Sequence, residues 1–419
     1  MSRSELERAA KKTVAVVLAG GRGQRLYDLT DQLSKPGIDF GGKYKIIDFA
    51  LSNCINSNIR RIGVLTQYNS HRLLEHLQNG WSFLPSRLGE FVHVWPAEQS
   101  LESNAWYQGT ADAVYQNLRN LQELAPEYVI ILAGDHVYKM NYMRFLEDHI
   151  EKEADMSIAC IEVPRMSATG FGVVHVDSDE KVIAFVEKPK DPPGIPGREE
   201  FALASMGIYI FRASFLFEQL MRDAALPNSS HDFGHDLIPY LVSRARVFAH
   251  SFVKSSIKNP LRPEHYWRDV GTIDSYWEAN LDLTYVEPAL NLYDEEWPIF
   301  TTPLEVAPAK FVHDQPYRTG LAINSVVSNG CIVSGAAIRN SVLFTKVRVH
   351  SHSEINETVI LPEADVGEHV RLRKCVVAPG VRIPKGLVVG EDPDEDAKRF
   401  HRTPNGVTLV SQRMLDRLL

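Results

Sequence analysis

Four apolar runs of strand length punctuate the first 280 residues: TVAVVLAG from residue 13, RIGVLTQY from 61, YVIILAGD from 128 and MSIACIEV from 156. Runs that stay apolar without alternation predict central strands covered on both faces. Between them, HRLLEHLQNGW from residue 71 and TADAVYQNLRNLQEL from 110 place apolar residues at helical spacing. Strand and helix in alternation predict a mostly parallel, doubly wound α/β sheet, with ligands bound outside the carboxyl ends of its strands.

The pattern changes near residue 290. Helical spacing stops, and PLEVAPAKFVHDQP, residues 303–316, reads as an extended, proline-containing linker. Beyond it Ile332, Ile338 and Phe344 stand six apart, as do Ile360, Val366 and Leu372, and then Val377, Ile383 and Val389. A six-residue aliphatic period with turn residues between predicts a parallel β-helix, and the phase breaks between the three sets predict bulges or short insertions. The expected division is 1–288 for the α/β domain, 289–318 for the linker and 319–419 for the β-helix. An ordinary antiparallel sheet that matches the period is the alternative.

Length agrees, because 419 residues exceed what one compact core usually holds. With 45 Lys+Arg against 53 Asp+Glu, the formal charge of -8 argues against generic binding to nucleic acid or to an anionic membrane. Cys54, Cys160, Cys331 and Cys375 are scattered, which suggests neither a disulfide framework nor a zinc site. The polar start MSRSELERAAKK reads as a short helix or tail without the apolar stretch of a signal peptide, and no run is long enough for a membrane span. A cytoplasmic enzyme or binding protein is the expectation.

Residues 18–26, LAGGRGQRL, follow the first apolar run. They match neither the Walker A pattern nor GxGxxG. Glycines after a strand nonetheless allow backbone N–H groups to approach phosphate oxygens, and Arg22 and Arg25 bring charge to the same place. The loop alone is equally compatible with a tight strand-to-helix turn carrying surface arginines. Five further stretches supply context: LSKPGIDFGGKYKIIDFALSN around Lys35, WYQGTAD at 106–112, Asp135 ending VIILAGD, Glu187 and Lys188 in VIAFVEKP, and Asp269 in YWRDVGT.

With these in order, and with ASMGIYIF, DFGHD and the hexapeptide tail following, the chain resembles the sugar-nucleotide pyrophosphorylases over nearly its whole length. FGGKYKIIDFALSNCINS, WYQGTADAV and YWRDVGT narrow the resemblance to the bacterial glucose-1-phosphate adenylyltransferase branch. That resemblance implies a Rossmann-like N-terminal domain, a left-handed C-terminal β-helix, assembly as a homotetramer, and ATP and glucose 1-phosphate as substrates. It also implies Mg²⁺ as cofactor and anionic metabolites as effectors.

The resemblance gives residues roles. Arg25 and Lys35 would neutralise the triphosphate, and Asp135 and Asp269 would hold Mg²⁺. Lys188 would take the phosphate of glucose 1-phosphate and Glu187 its hydroxyls, with Ser205 and Asp232 as secondary sugar contacts. Leu18, Ala19, Gly20, Gly21 and Arg22, with Tyr107, Gly109 and Thr110, would form the nucleotide side. Read as residues alone, Asp135 could instead cap a following helix, Asp269 could pair with Arg268, and Glu187–Lys188 could be an exposed turn. A sugar phosphate is already anionic near neutral pH, so the chemistry needs positioning and charge compensation rather than a general base.

Departures fall in the regulatory set. Where relatives commonly carry a basic pair, this chain has Gln32 and Leu33; Asp39 stands before FGGK, and Pro379 and Gln412 occupy positions where arginines often stand. Lys43, Lys45, Arg382, Arg399 and Arg402 remain as candidate anion contacts, so a weak response to fructose 1,6-bisphosphate and AMP is expected. Three other readings stay open: a pyrophosphorylase of different base or sugar choice, a low-activity regulatory or scaffolding subunit, and an acyltransferase using His350, His352 or His369 of the β-helix.

Overall fold

The computed structural model describes residues 1–21, 23–31, 33–67, 70–97, 106–262 and 264–418. The opening polar segment is a helix, α1 (Arg3–Lys11), started by a capping box in which Ser2 and Glu5 satisfy each other's backbone N–H groups. The strands that follow are β1 (Thr13–Leu18), β2 (Asp39–Phe40), β3 (Tyr44–Lys45), β4 (Arg61–Thr66), β5 (Phe91–Pro96), β6 (Tyr128–Ala133) and β7 (His136–Tyr138). After them come β8 (Met156–Pro164), β9 (Gly172–Val176), β10 (Val182–Glu187), β11 (Phe201–Arg212), β12 (Val247–Ser251) and β13 (Trp267–Asp269).

A nine-stranded sheet runs β10-β9-β11-β6-β1-β4-β5, with β8 joined to β11 and β12. All four apolar runs are strands of it. The parallel, doubly wound part is β6-β1-β4-β5. The half that follows is mixed: β11 lies antiparallel to β6, β8 and β9, while β12 runs parallel to β8. The long β11 alternates between positions of different burial around a register shift between Ser205 and Tyr209, where Gly207 adopts φ +67°. MSIACIEV is therefore a central strand with an antiparallel neighbour.

Each face of the sheet has its own apolar core. One contains Ala15, Val17, Leu51, Val64, Leu77, Ile130 and Phe145; the other Val14, Val16, Leu65, Val114, Ile131 and Phe211. The alternation of Val14/Val16 against Ala15/Val17 within one unbroken apolar run shows why β1 had to be apolar throughout.

Residues 310–410 contribute the strands of a parallel β-helix with three sheets. The first, Lys310–Val312, lies inside the segment expected to be linker and pairs with Ile332–Ser334. Registers of Val342 on Val359 on Val376, and of Arg348 on Asp365 on Arg382, give turns of 17 residues. Three hexapeptides would make 18, so the phase slips because these turns are a residue short and the turn before them, with Val326 on Val342 and Ile332 on Arg348, is two short; insertions lie at the two ends of the coil, before Ile332 and between Val377 and Thr408. Eight of the nine aliphatic or aromatic markers are buried; at the first position Ile332 is only partly buried and its neighbour Val333 fills the interior.

The β-helix interior continues into the α/β domain. One core cluster joins Val349, Ile355, Val376 and Leu409 of the coil to Leu26, Phe40, Phe49, Val270 and Tyr276. Trp277 donates its indole N–H to the carbonyl of Glu357 at 2.7 Å, and Thr403 donates to Asp274 at 2.6 Å. The segment carrying Arg25 and Lys35 thus lies against the C-terminal domain.

Candidate active site

Strand β1 ends at Leu18, and the chain turns through Ala19, Gly20 and Gly21 before a 3₁₀ stretch, Gln24–Thr30, that begins at Gly23. Gly23 has φ +61°, and a Cβ there would come within 2.9 Å of Thr30 Cγ2 and 3.1 Å of Lys35 Cβ, so the turn demands glycine. A Cβ on Gly21 would meet nothing within 4 Å, and one on Gly20 would meet only the Gln67 side chain. These two glycines leave open space beside the strand end, where a ligand's phosphates can approach the backbone. Arg22 lies outside the described residues, as does Gln32.

That space is a cleft of about 340 Å³ lined by Leu18, Ala19, Gly20, Gly21, Tyr107, Gly109, Thr110, Asp135 and Asp232, with Pro36 and Gln67. Seven of the eight expected nucleotide-side residues are thereby brought together. Gly109 has a packing role as well: a Cβ would fall 2.3 Å from the His231 carbonyl oxygen and 2.4 Å from that of Ser230. Thr110 donates its hydroxyl to Asp232 at 2.9 Å and accepts from the Phe233 N–H at 3.0 Å. Asp232 also caps the turn that follows it, accepting from the N–H groups of Gly234 and His235.

At the far side of the cleft, β13 pairs antiparallel with β7 so that Asp269 stands opposite His136, next to Asp135. Lys35, only 5% exposed, bridges the carboxylates: its Nζ lies 2.9 Å from Asp135 Oδ2 and 2.5 Å from Asp269 Oδ1. Arg25 Nη2 reaches to 3.8 Å from Asp269 Oδ2. Asp135 is followed by a strand and caps no helix, and Asp269 pairs with Lys35 and Arg25. Burial works against the charge on Lys35, but Asp135 and Asp269 outweigh it and hold the ammonium above its ordinary pKa. Burial likewise opposes ionisation of Asp135, yet Lys35 and His136 keep its carboxyl far below the usual range.

Asp135, His136 and Asp269 offer ligand atoms within 4.8 Å of one another, the one such group among the described residues. Two carboxylates fit a hard divalent cation that takes its remaining oxygens from phosphates and water. Sequence reasoning missed His136, whose Nδ1 is buried without a hydrogen-bond partner and whose ring packs edge-on to Trp267. Its adjacency to Asp135 was the available signal. Gln67, at the end of the RIGVLTQY run, was also missed.

The sugar-side candidates gather around the end of β10 and the register shift of β11. Glu187 Oε1 accepts from Lys188 Nζ at 2.7 Å, and Lys188, with φ +44°, is exposed. Ser205 is buried and accepts from the Gly207 N–H at 3.3 Å. Tyr209, near Ser205, Glu187 and Asp232, is a further residue of this region; burial pushes its phenol up.

The regulatory candidates do not converge on one cavity among the described residues. Lys43 and Lys45 line a cleft of about 390 Å³ between the domains, with Arg72 and Lys346, but Lys45 is bonded to Asp39 at 3.0 Å. Arg399 is committed to Asp396 and to the Val388 carbonyl, Arg402 lies near Gly406, and the backbone N–H of Arg382 donates to Gln412 Oε1. Leu33 is buried. On the β-helix, His350 is bonded to Asp365 at 2.8 Å, while His352 and His369 stack on each other.

No helix among the described residues is long and apolar enough to cross a membrane. Residues 14–285 match the family model described as "Nucleotidyl transferase", and residues 307–410 match "GlmU-like, C-terminal hexapeptide". Proteins named glucose-1-phosphate adenylyltransferase are similar along essentially the whole chain. That of Mesorhizobium japonicum is 55% identical over 98% of this chain and 97% of its own length, and that of Paramagnetospirillum magneticum 56% identical over 98% and 96%. That of Agrobacterium fabrum is 54% identical over the full length of both. Nucleotidyltransferases generally use a divalent metal, in keeping with the paired carboxylates. A strand-end glycine cleft, a lysine clamped between two carboxylates and a hexapeptide coil therefore agree with full-length similarity: this chain belongs to the glucose-1-phosphate adenylyltransferase family of nucleotidyltransferases.

Proposed function

We propose that the protein makes ADP-glucose and pyrophosphate from ATP and glucose 1-phosphate, with Mg²⁺, as a step of glycogen biosynthesis. The observation that carries the reading is Lys35 between Asp135 and Asp269, at the edge of the cleft beneath Gly20 and Gly21. The backbone of residues 18–21 and the cleft wall at Tyr107, Gly109 and Thr110 take the nucleotide. Mg²⁺, held by Asp135 and Asp269, would compensate charge on the triphosphate. Arg25 and Lys35 stabilise the charge that develops on departing pyrophosphate. Glu187 orients sugar hydroxyls, Lys188 holds the sugar phosphate in line with the α-phosphorus, and Ser205 and Asp232 bound the sugar pocket. The bond from the sugar phosphate oxygen to the α-phosphorus forms as the α–β phosphoanhydride breaks.

Initial rates with ATP, UTP, dTTP, CTP and GTP test the base; a preference for another triphosphate would overturn this assignment. Lys188→Ala should raise the KM for glucose 1-phosphate by about tenfold to a hundredfold, the loss of one charge-assisted phosphate contact, with the KM for ATP little changed. A selective ATP defect would show the subsites to be exchanged. A homotetramer working in the cytoplasm is part of the reading.

Regulation by anions should be weak, because Lys45 is already neutralised by Asp39 and Leu33 is buried in place of a cation. Activation by micromolar fructose 1,6-bisphosphate or AMP would refute that. The low-activity subunit reading is disfavoured by the presence of Arg25, Lys35, Asp135 and Lys188. The acyltransferase reading loses support because His350 is tied to Asp365 and the other two histidines face each other.

A further inference from the structure

Between Arg25 and Lys35 the chain is gripped from the C-terminal end of the molecule. Tyr27 sits inside the 3₁₀ stretch with φ 49° and ψ -130°, a region that an aromatic residue rarely enters and that persists only where surrounding contacts over-determine it. Those contacts come from residues 401–413. The Tyr27 ring lies on the His401 ring with centroids 3.8 Å apart. Asp28, whose side chain is 7% exposed, accepts hydrogen bonds from the Ser411 hydroxyl and from Arg413 Nη2. Arg413 Nη1 also lies 3.5 Å from Asp31 Oδ2.

The grip is one-sided. Thr30 closes the turn by donating to the carbonyls of Gly23 and Tyr27, and Arg25 reaches to Asp269. Tyr27, Asp28 and Asp31 thus face the C-terminal segment while Arg25 faces the reacting centre. Asp28 is nearly buried while the Arg413 side chain is 59% exposed, so the contact is half-buried, and the Asp28 carboxylate is held in place by the guanidinium together with the Ser411 hydroxyl. The exposed Arg413–Asp31 contact adds little by itself.

We infer that the C-terminal segment 401–413 is a clamp on the phosphate loop, with Asp28 and Arg413 acting as positioning residues that aim Arg25 and Lys35 at the triphosphate. The inference rests on the placement of Arg25 and Lys35 proposed above. It gives the β-helix domain a part in the chemistry through contact rather than through a bound effector.

Hydrogen exchange of the full-length protein, read on peptides covering residues 18–35 with and without Mg·ATP, separates the two ideas. Protection by Mg·ATP in the unaltered protein is expected; its absence would refute the nucleotide site itself. In Arg413→Ala, exchange in the nucleotide-free loop should accelerate, and the KM for ATP should rise by about tenfold while that for glucose 1-phosphate stays within about twofold. Asp28→Asn should do the same, the double variant should be no worse than either single one, and Arg413→Lys should recover part of the loss. Unchanged loop exchange in Arg413→Ala overturns the clamp. So does an equal rise of both KM values accompanied by a lower Tm, since a merely structural contact would produce that result.

Discussion

Asp135→Asn is expected to lower kcat by about a hundredfold to a thousandfold or more while the protein stays folded, the range seen when one preorganised electrostatic contact to a transition state is removed. The carboxylate lies at the end of β6 and touches Lys35 at 2.9 Å. Neutralising it takes one of the two carboxylate oxygens from the cation site and leaves Lys35 answered by Asp269 alone. The fold does not lean on it in the same way, because Asp135 is only partly buried and the strand before it is fixed by pairing with β1 and β11. Rates measured at saturating ATP, glucose 1-phosphate and Mg²⁺, with Tm alongside, check this. A folded variant turning over at a near-normal rate would remove Asp135 from the mechanism.

How much of this could be seen in the sequence depends on whether the signal is local. The strands β1, β4, β6 and β8 are apolar runs and could be read directly, as could the helix carrying HRLLEHLQNG. Strands β9 to β12 were not read, because their burial neither alternates nor stays continuous and so leaves no single period to detect. The coil was legible as a six-residue period, but the 17-residue turn was not, since that number belongs to the stacking of one turn on the next.

The site divides in the same way. Gly20, Gly21 and Asp135 stand at strand ends, where ligand chemistry is expected from the order of elements alone. That Lys35 joins two carboxylates 100 and 234 residues away could be known only from the β7–β13 ribbon. Gly109 read as a contact to the base, yet its lack of a side chain also answers to the carbonyls of residues 230 and 231. The Asp28–Arg413 contact spans 385 residues between two unremarkable charges and left no pattern to find.

The second large effect concerns Lys35. Its ammonium sits where a divalent cation would share Asp135 and Asp269, so in the nucleotide-free protein Lys35 competes for the oxygens that a metal needs. On the proposed function, a bound triphosphate would offer Lys35 phosphate oxygens as alternative partners and free the carboxylates. Lys35→Met keeps the unbranched stem of the side chain and removes the ammonium. Turnover should fall by about a hundredfold or more, since developing charge on pyrophosphate loses a preorganised cation. Free Mn²⁺, followed by its electron paramagnetic resonance signal without nucleotide, should bind the variant about tenfold more tightly than the unaltered protein, because a competitor worth only about 1.4 kcal/mol already sets that factor. The two effects point in opposite directions, tighter metal with slower chemistry, which general damage to the site would not produce. Equal Mn²⁺ affinity in the two proteins would show that Lys35 yields the carboxylates without cost, and weaker binding in the variant would show that it helps to shape the metal site rather than to fill it.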